Sequence, residues 1–148
     1  MHDGQYKEIL VALLGLINEG VHIVDSQGVS IFYNQVMSKI EQMPEKTVVG
    51  ERFEDAFFHM GLENSTICQT LRTGQATVDQ PQRYINASGK YIYTINTTVP
   101  VREADGTPVA VIEVANDITQ LSELSDKLAQ LQDEAGKPAS SRKGKIKR

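Results

Sequence analysis

The chain has 148 residues, 40% of them apolar, and a formal net charge of −4. That suffices for one core with flanking segments, and no run approaches the roughly 18 apolar residues that a membrane-spanning helix needs. The single cysteine, Cys68, excludes an internal disulfide and a cysteine-based metal cluster.

The stretch Ile9 to Ile17 is apolar but follows a mixed-charge start and has no small-residue cleavage site, so it is not read as a signal peptide. A cytoplasmic chain is expected, and the sequons at Asn64, Asn86 and Asn96 are then chance matches. Charge is unevenly placed. Residues 137–148 hold six Lys/Arg and no acid, which leaves nine Lys/Arg against nineteen Asp/Glu in residues 1–136, a net of −10. A body that acidic does not suit nucleic-acid binding, and no membrane contact is expected.

In chain order, Tyr6, Ile9, Leu10, Leu13, Leu14 and Ile17 recur at helical spacing, so residues 5–19 read as an amphipathic helix that Gly20 stops. It can cover a sheet face or form a dimer contact. Val21 to Val24 and Val29 to Tyr33 are β-branched and aromatic, and Asp25-Ser26-Gln27-Gly28 between them is turn chemistry. Both faces of this hairpin are apolar. Val21 and Ile23 point one way and Val24 the other, with Ile31 and Phe32 likewise opposed, so a cover is expected on each side. Asn34 can cap a helix from Gln35 to Met43, which Pro44 ends. Phe53, Ala56 and Phe57 have helical spacing. Residues 64–73 read as a further helix with Asn64 or Ser65 as cap, Ile67 and Leu71 inward, and Gly74 as stop. Thr77 to Ile85, Tyr91 to Val101 and Val109 to Ala115 read as strands, the first an edge because of Pro81. Five strands with inserted helices make an α+β domain. Leu121, Leu124, Leu128 and Leu131 then recur at spacings of three, four and three, a short heptad seam that predicts a parallel helix pair and hence a homodimer. The alternative is an amphipathic helix lying on its own domain. From residue 135 the composition is that of a basic flexible linker, ending as if the chain continues.

The segment Gly20-Val21-His22-Ile23-Val24-Asp25, the turn at Gly28, Asn34, and the terminal Asp117-Ile118-Thr119 before a helix together resemble a PAS domain over about residues 18–120. Thr94 to Pro100 and Val111 to Thr119 resemble, more narrowly, the N-terminal sensory PAS domain of sigma-54-dependent transcriptional activators of the arginine-utilisation regulator type. The resemblance implies a five-stranded antiparallel sheet in the order 2-1-5-4-3 with short helices on one face. It divides the chain into an N-terminal helix (1–19), a PAS domain (20–118), a signalling helix (119–134) and a linker (135–148). It also implies dimers through the flanking helices, and a signal passed through Asp117, Ile118 and Thr119. A downstream AAA+ ATPase and DNA-binding domain are implied too; no Gly-x-x-x-x-Gly-Lys-Ser/Thr loop occurs in this chain.

Cofactor marks are weak. Cys68 lies in Thr-Ile-Cys-Gln-Thr-Leu, unlike the flavin photosensor motif. Segment 64–74 has no histidine for haem, and three scattered histidines make no metal set; no cofactor is expected. Glu113 lies mid-strand among apolar neighbours, where a carboxylate is costly unless paired. It can receive the ammonium or guanidinium of a small ligand, or else face solvent or pair with Arg83. His22 offers a donor and an acceptor on the first strand, or is a satisfied sheet histidine. Tyr93 and Asn96 are also ligand-binding candidates, although period two puts Asn96 opposite Tyr91 and Tyr93. No catalytic constellation is evident. The expectation is a regulatory domain that senses a small metabolite, an amino acid among the candidates, and is not an enzyme. A ligand-free dimerisation scaffold and a histidine-kinase sensor are the alternatives.

Overall fold

A computed structural model describes residues 2–136; the basic segment from residue 137 lies outside the described residues. Its contacts divide the chain into one unit up to Asp117 and another from Ile118. The first unit holds helix α1 (Asp3–Leu16), strands β1 (Gly20–Asp25) and β2 (Ser30–Tyr33), and helices α2 (Gln35–Glu41), α3 (Glu45–Val48), α4 (Phe53–Ala56) and α5 (Thr66–Thr73). Strands β3 (Thr77–Ile85), β4 (Tyr91–Arg102) and β5 (Pro108–Asp117) follow. The sheet is antiparallel throughout, in the order β2-β1-β5-β4-β3, as the resemblance implies.

Local chemistry accounts for most of the boundaries. In the first hairpin turn, Asp25 Oδ1 accepts from the Gln27 and Val29 amides, and Gly28 takes φ 84°, a conformation glycine adopts without a Cβ penalty. Asn34 serves two elements. Its Oδ1 accepts from Met37 N and Val21 N at 2.9 Å each, which caps α2 and anchors the start of β1, while its Nδ2 donates to Glu19 O. Ser65 caps α5 through Cys68 N, and Gly74 closes that helix at φ 71°.

A bulge decides which way β2 faces. His22 pairs with Tyr33 and Ile23 with Phe32, but Val24 pairs with Ser30. The extra residue, Ile31, is turned out and half exposed. Tyr33 and Ser30 therefore share the inner face with His22 and Val24. Helices α2 and α5 pack on this face, and the core there gathers Val24, Tyr33, Met37, Val48, Phe53, Phe57, Ile67, Val111 and Ala115. On the outer face Ile23, Phe32, Ile95, Val99, Ile112 and Val114 are only half buried. Helix α1, read as a cover for a sheet face or a dimer contact, has no buried residue. It spans Asp3–Leu16 rather than residues 5–19.

The second unit holds α6 (Thr119–Ala135), on which Leu121, Leu124, Leu128 and Leu131 are each more than half exposed.

Close packing at the start of β1 sets a stringent test. A Cβ on Gly20 would lie 2.8 Å from Met37 Sδ and 3.2 Å from Met37 Cα. Gly20→Ala is expected to cost about 1–3 kcal/mol, the range for overpacking a filled core. Chemical denaturation measures it, and unchanged stability would show that β1 and α2 are not in such contact.

Candidate ligand-binding site

The inner face of the sheet is unusually polar across its middle. Thr94, Asn96 and Thr98 on β4, Glu113 on β5 and His22 on β1 are all buried. The register explains how they meet, because Glu113 pairs with His22 on one side and with Thr98 on the other. Helix α5 brings Thr66 over this row. Thr98 Oγ1 donates to Thr66 Oγ1 at 2.9 Å, and Thr66 Oγ1 donates to Glu113 Oε2 at 2.8 Å.

A second carboxyl enters from the last turn of α2. Glu41 is 4% exposed, and its Oε1 accepts from the Tyr33 hydroxyl at 2.6 Å. The β3–β4 turn holds this end of α2 in place. Asn86 Nδ2 donates to Ile40 O, the Ala87 amide donates to Glu41 O, and Asn86 Oδ1 accepts from Ser88 N and Lys90 N.

Glu41, Glu113 and Asn96 line one cavity of about 70 Å³, with Phe53, Phe57 and Leu62 among its apolar walls. Space of that size holds a few waters or a compact polar group. Asn96 Oδ1 is buried without a hydrogen bond. Burial pushes the Glu41 carboxyl up from 4.5 to about 8, with the Glu113 charge adding to the rise and the Tyr33 hydroxyl opposing it. Burial likewise raises Glu113 to about 7 against the Thr66 hydrogen bond. No cationic side chain contributes to either shift.

The expected site residues part company here. Glu113 and Asn96 line the cavity. His22 does not: its Nε2 is 2.7 Å from Ser30 Oγ, and its ring packs within 5.5 Å of the Tyr33, Phe53 and Phe57 rings. Burial lowers its pKa to about 3 and keeps it neutral. Tyr93 is also displaced from the cavity wall. It pairs with Arg83 across β3–β4, and the Arg83 guanidinium lies 4.3 Å over the Tyr91 ring and 5.8 Å over that of Tyr93. The alternation that turns Asn96 inward turns both tyrosines outward. Arg83 lines the cavity along with Glu113, but its guanidinium is spent on aromatic faces rather than on that acid.

Glu41 escaped the sequence reading. A faint signal existed, since an acid in the last turn of a helix opposes the macrodipole and calls for a special reason. Cys68 is outside the cavity lining, and burial raises its thiol pKa. Among the described residues no three His, Cys, Asp or Glu are grouped to hold a metal ion, and no helix is long and apolar enough to cross a membrane.

The sequence model of the PAS fold matches residues 14–123, and the chain belongs to the PAS family. More particularly, it is 34% identical over 116 residues to the transcriptional activator RocR of Bacillus subtilis (strain 168). The match covers 78% of this chain and 25% of RocR, so the chain spans about a quarter of that relative's length. Solved structures share the fold at low identity. An RNA-binding light-oxygen-voltage receptor superposes with a TM-score of 0.67 at 16% identity, covering 90% of this chain and 39% of the receptor. The E. coli DhaR(N)-DhaL complex gives 0.62 at 18%, covering 76% of this chain and 36% of that one.

The paired carboxyls set a pH dependence. Both fold with raised pKa values, so their stabilising contribution is fully present below about 4.5 and is lost as pH rises through about 7 to 8. The melting temperature is expected to fall across that interval. Glu41→Gln, which mimics the protonated acid, should flatten the fall. A melt series showing the same slope in both proteins would mean that Glu41 ionises freely.

Proposed function

We propose that this chain is the cytoplasmic sensory region of a sigma-54-dependent transcriptional activator, taking up a small metabolite in the cavity under α2 and α5. Amino acids are among the candidate ligands. In this reading an occupied cavity biases β5, and Asp117, Ile118 and Thr119 pass that bias to α6. Leu121, Leu124, Leu128 and Leu131 pair α6 with a second copy. An AAA+ ATPase and a DNA-binding domain in the longer chain respond to the pairing. The region itself performs no catalysis, carries no cofactor and touches neither nucleic acid nor membrane.

The observation that carries the reading is the polarity of a buried cavity. A core serving only as a scaffold gains stability from apolar filling. Two carboxyls and an unbonded Asn96 oxygen around one cavity cost stability, a cost that ligand recognition explains. Glu113 stands on β5 four residues before Asp117, so the strand that meets the ligand is also the strand that leads to α6. Helix pairs have discrete packings, and coupling of about 1–3 kcal/mol is enough to bias one. The scaffold reading draws on a different observation, the apolar side chains exposed on α1 and α6.

Two measurements test the proposal. A thermal-melt screen against amino acids and small carboxylates, starting with arginine, ornithine and citrulline, is expected to find a stabilising compound. At 100 times its dissociation constant a ligand adds about 2.7 kcal/mol. A flat screen on a folded dimer would favour the scaffold. Leu124→Asp combined with Leu128→Asp is expected to shift sedimentation from dimer towards monomer, and unchanged mass would remove the α6 seam.

A further inference from the structure

Glu41, Glu113 and Asn96 bring hydrogen-bond acceptors to the cavity, beside Ser65, Gln82 and Tyr84 in its lining. Each carboxyl gives one oxygen to a protein hydroxyl, Glu41 Oε1 to Tyr33 and Glu113 Oε2 to Thr66. That leaves Glu41 Oε2, Glu113 Oε1 and Asn96 Oδ1 for whatever enters. Asn96 is 5% exposed and lines the same cavity as the two acids. Two carboxylates facing one buried cavity resist ionising together near neutral pH without a counter-charge. Arg83 belongs to the lining of this cavity, but its guanidinium lies 4.3 Å over the Tyr91 ring and 5.8 Å over that of Tyr93, and no cationic side chain is among the causes that shift either acid. Among the described residues no cation neutralises the pair, so the counter-charge is one that a ligand can bring.

Resting on the sensor reading above, we propose that Glu41 and Glu113 form a two-carboxyl clamp for a primary ammonium group of the ligand, with Asn96 as third acceptor, and that the ammonium enters in exchange for a proton released to water. A primary ammonium carries three donors and no acceptor, which matches the three available oxygens. A guanidinium has five donors in a rigid planar fork and would leave two unmet in so small a space. Phe53, Phe57 and Leu62 offer an apolar lining for the methylene stem behind the ammonium.

The exchange follows from charge balance. Before binding, the pair keeps at least one proton, because two bare carboxylates would repel each other in a poorly solvated site. On binding, the ammonium supplies the counter-charge, a carboxyl ionises, and its proton goes to bulk solvent. The other titratable groups around the pair do not take part. Burial holds Tyr33 on β2 and Tyr84 on β3 protonated, raises the Cys68 thiol on α5, and keeps His22 on β1 neutral. Arg83 on β3 lines the cavity with its guanidinium held over the Tyr91 and Tyr93 rings.

The test uses the full 148-residue chain with matched probes, ornithine against norleucine and 1,4-diaminobutane against 1,4-butanediol, followed by titration calorimetry. The ammonium member of a pair is expected to bind at least about tenfold more tightly, the scale of a charge-assisted hydrogen bond. Its affinity should rise about threefold or more between pH 6 and 8, as a released proton requires. Binding heats in phosphate and Tris should differ by the ionisation heat of the released proton. Glu41→Gln and Glu113→Gln should each weaken binding about tenfold or more while still melting cooperatively. Should either variant fail to fold, the proton release measured on the unaltered protein decides the matter alone. Equal binding of both members of each pair, no released proton, or undiminished affinity in Glu41→Gln overturns the clamp. Stabilisation by a carboxylate or neutral compound with every ammonium probe silent overturns the clamp and leaves the sensor reading standing. Silence across all classes overturns both.

Discussion

Glu41 and Glu113 share one small cavity in which the one cation among the described lining residues, Arg83, has its guanidinium over Tyr91 and Tyr93 rather than on either acid, and much of the domain is arranged around holding them there. Burying two acids works against folding. The chain meets that cost with hydroxyl donors on each acid, from Tyr33 on β2 and from Thr66 on α5, the latter held by Thr98. Even the β3–β4 turn contributes, because Asn86 fastens the end of α2 that carries Glu41. Remove that tie and the last turn of α2 loses its anchor, although its own helical hydrogen bonds remain.

Strand β5 has two neighbours and two tasks. It is the middle strand of the sheet and carries Glu113 inward between His22 and Thr98. It also runs on to Asp117, at the boundary of the second unit. A central strand cannot shift without repacking both neighbours, so a change in the protonation or pairing of Glu113 acts on an element with little slack. Close packing of the interior means that a displacement of β5 is felt by both neighbouring strands.

The two faces of the sheet are used differently. The inner face spends its polar residues on the cavity and its aromatic residues on a cluster around His22, where Phe53 and Phe57 stack 4.8 Å apart. The outer face keeps half-buried aliphatic residues and the Arg83–Tyr91–Tyr93 stack. Membership of the PAS family accounts for the architecture but not for this chemistry, since a fold hosts many sites. The acids, the unbonded asparagine and the spent arginine belong to this chain.

Most of the architecture was legible in the amino-acid order. Turns at Gly28 and Gly74, caps at Asn34 and Ser65, and the strands flanking Asn86 to Lys90 are set by local backbone preferences, which act within a few residues and can be read there. Glu113 was legible because a mid-strand acid among aliphatics violates a local rule. What the order of residues did not reveal was company. Glu41 looks like any polar residue near a helix end until α2 is docked on the sheet and pinned by Asn86, and only then is it buried against Tyr33. His22 and Tyr93 sit on strands as expected, but register and burial assign the first to the aromatic core and the second to the outer face. Ile31 is turned out because a bulge adds one residue to β2. Local sequence thus determined which elements form and where they stop. Tertiary structure alone decided which side chains meet, because facing and burial depend on pairing between residues far apart in the chain.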